Sequence, residues 1–144
     1  FRVVDELWAK AILSNSMKTL TAFLCALALT PIMALAGDYP SISHDELKKA
    51  IEEKKVTVID VNGTGSWKKG HIPGAIDFAS AEKQLAAKLP TDKDALVVAY
   101  CGNDKCAAYA RAAKAAQALG YKNVKHYSPG LAGWKAKEQT EPGS

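Results

Sequence analysis

The segment ALVVAY, residues 95–100, is apolar throughout, and it restricts the fold more than any other part of the sequence. A strand without alternating polar residues must be covered on both faces, as the central strands of parallel sheets are. A second run, VTVI at residues 56–59, is β-branched throughout and ends at Asp60, which predicts another buried strand. Two shorter strands are predicted at residues 75–78 and 123–127.

Helical segments separate these strands. Ser43 and Glu46 form the S-x-x-E pattern of a capping box, which predicts a helix that continues to about Lys54. Strands that alternate with helices predict an α/β fold, with a mainly parallel sheet between helices on both faces. The remaining predicted segments are a loop at 62–65 and helices at 80–89, 106–119 and 130–137.

The N-terminal part of the chain is predicted to be cleaved off and to contribute nothing to the folded domain. Met17 and Lys18 precede an apolar run that ends Ala-Leu-Ala at residue 36, the pattern of a secretory signal peptide over residues 17–36. The alternative is a membrane anchor through residues 19–36, because the run approaches spanning length. Residues 1–16 are interpreted as an upstream segment ahead of Met17. We therefore expect a domain over residues 37–144 that is periplasmic or secreted.

Composition and charge narrow the function classes. Hydrophobic residues make up 48% of the chain and charged residues 24%, which is typical of a soluble protein with a core. The formal net charge of +4 comes from separated lysines, without zinc-finger spacing or an aromatic and basic recognition pattern. The sequence therefore predicts no nucleic-acid partner, no metal and no cofactor. We expect a monomer that does not associate with a membrane once the signal peptide is cleaved.

One loop carries the strongest chemical signal. The strand at 95–100 runs directly into Cys101, and the helix predicted from Cys106 follows the loop. Backbone amides at the start of a helix favour negative charge, so a cysteine beside them holds more thiolate, the nucleophilic form. Gly102 permits close backbone approach, and Asn103 tolerates left-handed dihedral angles. The alternative is that Cys101 is a buried structural cysteine.

Several short motifs in the same order resemble a known family. They are GHIPGA at residues 70–75, GYKNV at 120–124 and PGLAGW at 129–134. Asp60 is similar to the acidic residue that closes the first core strand of rhodanese-like domains, and Cys101 falls at their catalytic cysteine. The resemblance covers about residues 41–137, so the domain is identified as a member of the rhodanese-like family.

The resemblance implies a three-layer rhodanese-like fold with a sheet of about five strands. It also implies a sulfurtransferase that moves sulfane sulfur through a persulfide on Cys101. The donor would be of the thiosulfate or persulfide type, and the acceptor would be cyanide, a thiol or a persulfide carrier. Asp60 and His71 are expected to support the structure. The residues expected to bind the substrate are Gly102, Asn103, Asp104, Lys105 and Cys106.

The sequence departs from the family pattern where an anionic donor would be held. Many active members carry arginine at the position of Cys106, and often another at the position of Asn62. Lys105 is the only cation left in the loop, and a lysine lacks the bidentate geometry of arginine. A phosphatase of the C-x5-R type is excluded, because Ala107 stands where that arginine would be needed.

Two further functions stay open. The domain could be a non-catalytic rhodanese-like module that binds a partner. It could also be a thiol redox relay in which Cys101 and Cys106 alternate between dithiol and disulfide, with Cys106 as the resolving thiol. An exported protein meets an oxidising compartment, where a nearby cysteine pair can form a disulfide. Alternatively, Cys106 is simply a small residue that starts a helix.

Overall fold

The computed structural model describes residues 39–144. The upstream segment 1–16, the predicted signal peptide 17–36 and the alternative membrane anchor therefore lie outside the described residues. Within residues 39–144, no helix has both the length and the apolar character needed to cross a membrane.

Strands and helices alternate along residues 39–144, as the sequence predicts. A 3₁₀ turn, Glu82–Gln84, joins two short helices that precede the central strand. In chain order, the elements are α1 (His44–Glu52), β1 (Val56–Asp60), α2 (Thr64–Lys69), β2 (Ile76–Asp77), α3 (Phe78–Ala81), α4 (Leu85–Lys88), β3 (Leu96–Tyr100), α5 (Tyr109–Ala118), β4 (Val124–Tyr127) and α6 (Gly130–Lys135).

The predicted capping box at the start of α1 is confirmed. The Glu46 amide donates to the Ser43 hydroxyl oxygen at 3.3 Å, and the Ser43 amide donates to the Glu46 carboxylate at 3.0 Å. These reciprocal bonds satisfy amides that a helix start leaves without partners. Leu47, on the inner face of α1, is fully buried against the sheet.

The sheet has four parallel strands in the order β2-β1-β3-β4. About five strands were expected, and the described residues form a fifth only as a single bridge between Ser41 and His126. The His126 amide donates to the Pro40 carbonyl, and the Ile42 amide donates to the His126 carbonyl. This pairing extends no further on the C-terminal side because Ser43 already serves as the cap of α1.

Two separate cores show that helices cover both faces of the sheet. The side chains of β3 alternate, so that Val97 and Ala99 face one core while Val98 and Tyr100 face the other. The first core is closed by α3, α4 and α5, and the second by α1 and α6. The predicted three-layer architecture is therefore confirmed, and the apolar run at 95–100 is its central strand.

Three local predictions differ from the structure. The loop predicted at 62–65 becomes α2 from Thr64 onward, since Gly63 precedes the helix with a φ of 87° and the chain then coils. The single helix predicted at 80–89 is divided into α3 and α4 by the 3₁₀ turn. The helix predicted from Cys106 begins instead at Tyr109, because the Cys106 amide bonds back to the Asn103 carbonyl.

A buried hydrogen-bond network joins the carboxyl ends of the two central strands. The Tyr100 hydroxyl donates to the Asp60 carboxylate, and it accepts a hydrogen bond from the Ile72 amide at 3.0 Å. Both Tyr100 and Asp60 are fully buried. Burial and the negative charge of Asp60 raise the pKa of Tyr100 far above its usual range, so the hydroxyl stays protonated as a donor.

We predict that Tyr100→Phe destabilises the domain by about 2 kcal/mol, because it deprives a buried carboxylate and a buried amide of their partner. Urea denaturation of the oxidised protein measures the free energy of unfolding. Tyr39→Phe is the matched control, since its hydroxyl bonds to Gln117 near the surface and should matter by less than about 0.5 kcal/mol. Equal stabilities of the two variants would show that the buried network contributes nothing.

Candidate active site

The candidate site lies where the direction of chain connection reverses. From β1 the chain moves outward to β2, and β3 then pairs on the other side of β1. Asp60 and Tyr100 are direct partners at the ends of these two central strands. Open α/β sheets bind ligands at such a switch point, beyond the carboxyl ends of the strands. The loop that begins at Cys101 leaves β3 at this place.

The two cysteines of the loop form a disulfide. The Cα atoms of Cys101 and Cys106 are 6.0 Å apart, within the range that a disulfide requires. Cys101 is only 3% exposed, whereas Cys106 is partly exposed. The cysteine pairing left open by the sequence is therefore present in the structure, and it closes the loop on itself.

Asn103 shapes the turn between the two cysteines. Its side-chain oxygen accepts a hydrogen bond from the Lys105 amide at 3.0 Å, and its carbonyl accepts from the Cys106 amide at 3.2 Å. These are the local bonds by which asparagine commonly stabilises turns. The loop is therefore curled in the oxidised form, and Asn103, Asp104 and Lys105 have exposed side chains at its tip.

The start of α6 holds the other side of the loop. The Leu131 amide donates to the Cys101 carbonyl at 2.8 Å, and the Ala132 amide donates to the Gly102 carbonyl at 2.9 Å. Gly130 has a φ of 61°, and a Cβ atom on it would lie 2.5 Å from the Cys101 carbonyl oxygen. Only glycine permits this approach without displacement of the loop.

Asn62 lies directly beside the loop. Its side-chain oxygen would be 3.2 Å from a Cβ atom added to Gly102. Its side-chain nitrogen is buried and has no hydrogen-bond partner within residues 39–144. The Asn62 amide donates to the Asp60 carboxylate at 2.7 Å, so the residue is fixed to the end of β1. In the sequence, Asn62 is notable only because it replaces an arginine, and nothing there indicates its unpartnered amide nitrogen.

The charged groups around the loop are few. Lys105 and Asp104 are both exposed. Arg111 lies further along, in α5, and points to Glu82 with an N–O distance of 3.3 Å. The loop therefore presents a single lysine and no guanidinium for the bidentate recognition of an anion.

His71 and Asp60, which were expected to support the structure, are both buried. The His71 ring is stacked on Trp67 with centroids 4.1 Å apart, and its Nδ1 lies 2.9 Å from the Trp67 carbonyl. Its backbone pairs with Glu141 in both directions. Asp60 belongs to the network with Tyr100. Among residues 39–144, no cluster of histidine, cysteine, aspartate or glutamate could hold a metal ion.

A histidine for which no role was predicted from the sequence lies next to the loop. His126, in β4, lines a cavity that also includes Cys106, and its Nε2 atom is buried without a hydrogen-bond partner in the described region. The alternation of Lys125, His126 and Tyr127 along the strand could have indicated the inward direction of the ring. Nothing in the sequence indicated that α5 and the segment before α1 would enclose it.

The family follows from a comparison of the sequence with models of known domains. The sequence model of the rhodanese-like domain matches residues 43–137. Over 113 residues, the chain is 32% identical to the HTH-type transcriptional regulator Rv0324 of Mycobacterium tuberculosis. This match covers 78% of this chain and 49% of the regulator. It is 24% identical to YrkF of Bacillus subtilis, a candidate sulfur carrier protein, over 72% of this chain and 55% of the relative. The chain thus spans about half the length of these curated relatives.

A solved structure supports the fold. The human single-domain sulfurtransferase TSTD1 aligns with a TM-score of 0.57 and 21% identity. The alignment covers 71% of this chain and 100% of that chain. At this level of identity, the likeness concerns the fold alone.

We predict that Gly130→Ala destabilises the domain by at least about 2 kcal/mol, since a left-handed backbone and a clash with the Cys101 carbonyl add together. Gly65→Ala in α2 is the matched control, because no atom lies within 4 Å of its added Cβ and alanine favours helix. Thermal and urea unfolding of both variants check this. An unchanged Gly130→Ala protein would contradict the close packing of α6 on the loop.

Proposed function

Because this chain belongs to the rhodanese-like domain family, we propose that it is a sulfurtransferase in which Cys101 carries sulfane sulfur as a persulfide. The observation that carries the proposal is the position of Cys101, at the start of a curled loop beyond the carboxyl end of β3. This is the switch point at which open α/β sheets bind ligands. The family match covers the loop and the elements around it.

The proposed reaction begins with reduced Cys101. Its thiolate attacks the outer sulfur of a thiosulfate-type donor, the S–S bond of the donor breaks, and sulfite leaves with the bonding electrons. Cys101 then holds the transferred sulfur as a persulfide. An acceptor thiolate or cyanide attacks that outer sulfur, and the electron pair returns to Cys101 as thiolate. The leaving products are a new persulfide or thiocyanate, so atoms and charges balance.

The disulfide implies an additional step before sulfur can be loaded. Oxidised Cys101 has no thiolate, so a two-electron reductant must first open the bond to Cys106. Cys106 then acts as the resolving thiol in this proposal. Its thiolate attacks the inner sulfur of the Cys101 persulfide, the terminal sulfur leaves as hydrosulfide, and the disulfide forms again. This observation favours the thiol redox relay as a second function of the same two residues.

The loop favours donors that carry little negative charge. Lys105 is exposed and lacks bidentate geometry, and Asp104 beside it opposes the approach of an anion. The unpartnered amide nitrogen of Asn62 is an uncharged donor beside Gly102. We therefore propose that persulfide donors are used in preference to thiosulfate, and that the acceptor is a thiol.

The test follows sulfur by mass. Reduced protein treated with a persulfide donor should gain the mass of one sulfur atom, and Cys101→Ser should lose that gain because the nucleophile is gone. Cys106→Ser should keep it, and should hold the persulfide longer because the resolving thiol is absent. The oxidised wild-type protein serves as the matched control and should gain nothing. A reduced Cys106→Ser protein that never gains sulfur would instead indicate a non-catalytic binding module.

We also propose that the domain acts outside the cytoplasm. Disulfides persist in oxidising compartments, and residues 17–36 have the pattern of a cleaved signal peptide. Protein recovered from its source should therefore begin at Gly37. Edman or mass analysis of the N-terminus measures this, with an Ala36→Leu variant as the uncleaved control. Retention of residues 19–36 on the recovered protein would favour the membrane anchor instead.

A further inference from the structure

A cavity of about 440 Å³ lies on the Cys106 side of the loop, and the proposed sulfur transfer makes no use of it. It is bounded by the loop, by the start of α5, by the end of β4 and by the segment that precedes α1. Its volume is within the range of small-molecule sites. The lining residues that matter here are Tyr39, Ser41, Lys105, Cys106, Tyr109 and His126.

His126 is the unusual residue of this cavity. It is 8% exposed, and its Nε2 atom has no hydrogen-bond partner within the described part of the chain. Its ring is stacked on Tyr109 with centroids 3.3 Å apart, and its backbone is bonded to Pro40 and Ile42. Burial lowers the pKa of His126, so the imidazole is neutral near pH 7 and one ring nitrogen carries an unshared electron pair. A buried polar atom without a partner is uncommon and calls for a ligand or a reaction.

The two cysteines of the disulfide differ in their access to this cavity. Cys106 lines it and is partly exposed, whereas Cys101 is 3% exposed and is absent from its lining. Thiol–disulfide exchange proceeds by attack of a thiolate on one sulfur, while the other sulfur leaves as thiolate. A reductant in the cavity can therefore reach Cys106, and Cys101 becomes the leaving group.

We propose that this cavity admits a low-molecular-weight thiol, which transfers its proton to His126 and attacks the sulfur of Cys106. The inference rests on the proposed function in one respect, since the Cys101 thiolate that leaves is the proposed sulfur-carrying nucleophile. The cavity thus determines that reduction releases Cys101 free of any adduct. Attack at Cys101 would instead leave that residue blocked by the reductant.

The exchange balances with two molecules of thiol. The first loses its proton to His126, bonds to Cys106 and expels Cys101 as thiolate. The second attacks the sulfur of the first in the mixed disulfide, and Cys106 leaves as thiolate. The two reductant molecules are oxidised to their own disulfide, and the two protein thiolates take up the two protons that the reductant gave up. Neither a metal nor a cofactor is required.

The volume of the cavity is sufficient for a small thiol. Tyr39 and Tyr109 are both only partly exposed, and their rings lie 6.4 Å apart in an edge-to-face arrangement at the wall. His126 is more than nine-tenths buried, so a proton donor must enter the cavity to reach it. A cysteine on the surface of a folded partner would have to project past these rings.

The first experiment locates the adduct. Oxidised protein is treated briefly with mercaptoethanol, quenched with iodoacetamide and digested with trypsin, which separates the two cysteines by cleavage after Lys105. The expected peptides carry mercaptoethanol on Cys106 and the alkyl group on Cys101. The reverse labelling, with mercaptoethanol on Cys101, would overturn the proposal.

The second experiment tests the role of His126. His126→Gln should slow disulfide opening by mercaptoethanol about tenfold or more, because the thiol loses its proton acceptor. Opening by tris(hydroxypropyl)phosphine should stay within about twofold of wild type, since a phosphine has no thiol proton to transfer. Equal slowing with both reductants would show that the ring has only a structural role, which would overturn its assignment as the acceptor.

The third experiment blocks the cavity without a change to His126. Ala107→Trp should fill the space and slow opening by mercaptoethanol about tenfold, whereas Ala108→Trp, which is equally exposed but does not line the cavity, should leave the rate unchanged. Equal rates for both variants would overturn the assigned route. Faster opening by a reduced dithiol protein, unaffected by Ala107→Trp, would overturn the small thiol as the occupant.

These results are separable from the proposed sulfur transfer. Exchange is measured on the oxidised protein, and sulfur loading is measured on protein that a phosphine has already reduced. If the disulfide opens through Cys106 but the protein never accepts sulfur, the cavity proposal stands and the sulfurtransferase proposal is wrong. If the disulfide opens by attack at Cys101 and the reduced protein accepts sulfur, the sulfurtransferase proposal stands and the cavity proposal is wrong.

Discussion

The hydrogen bond from the buried Tyr100 hydroxyl to the Asp60 carboxylate is the contact on which the site depends. It joins the carboxyl ends of β1 and β3, and the bond from the Ile72 amide brings in the segment between α2 and β2. A buried carboxylate is costly unless hydrogen bonds compensate it, so this network specifies one arrangement of the strand ends. The positions of Asn62 and Cys101, which follow those strand ends by two residues and by one, depend on this network.

The loop is supported from three directions by different kinds of contact. The strand ends fix its base, α6 binds its carbonyl groups, and the disulfide closes it toward Cys106. Cys106 therefore gives the loop a bond that can be opened. Its effect is to couple the availability of the Cys101 thiolate to the redox state of the surroundings.

Much of the fold was predictable from local patterns. The apolar run of β3 and the capping box of α1 each indicate one structure because packing and hydrogen bonding favour the same outcome. The start of α5 differs from the prediction because alanine favours helix on both sides of the true boundary, and the pairing of Cys106 with Cys101 and Asn103 delays the helix to Tyr109. The expected fifth strand is present only as one bridge, because the adjacent Ser43 is the N-cap of α1.

The site was less predictable than the fold. Cys101 could be found from its place after a buried strand, because that relation is local in the sequence. The neighbours that define its chemistry come from distant segments, as Asn62 and Gly130 do. His126 was recognisable as inward-facing, but its unpartnered nitrogen depends on how Tyr109 and the segment around Tyr39 pack over it. Whether a buried nitrogen lacks a hydrogen-bond partner can be seen only in the folded structure.

The contact between α6 and the loop also determines an electric field. Carbonyl and amide groups of one trans peptide point in opposite directions, and no cis peptide bond occurs within residues 39–144. Since α6 binds the carbonyls of Cys101 and Gly102, the amides of Gly102 and Asn103 are aimed away from α6. These two backbone dipoles are oriented in advance and need no rearrangement when negative charge develops nearby. Because they belong to the main chain, side-chain substitution in the loop leaves their polarity in place.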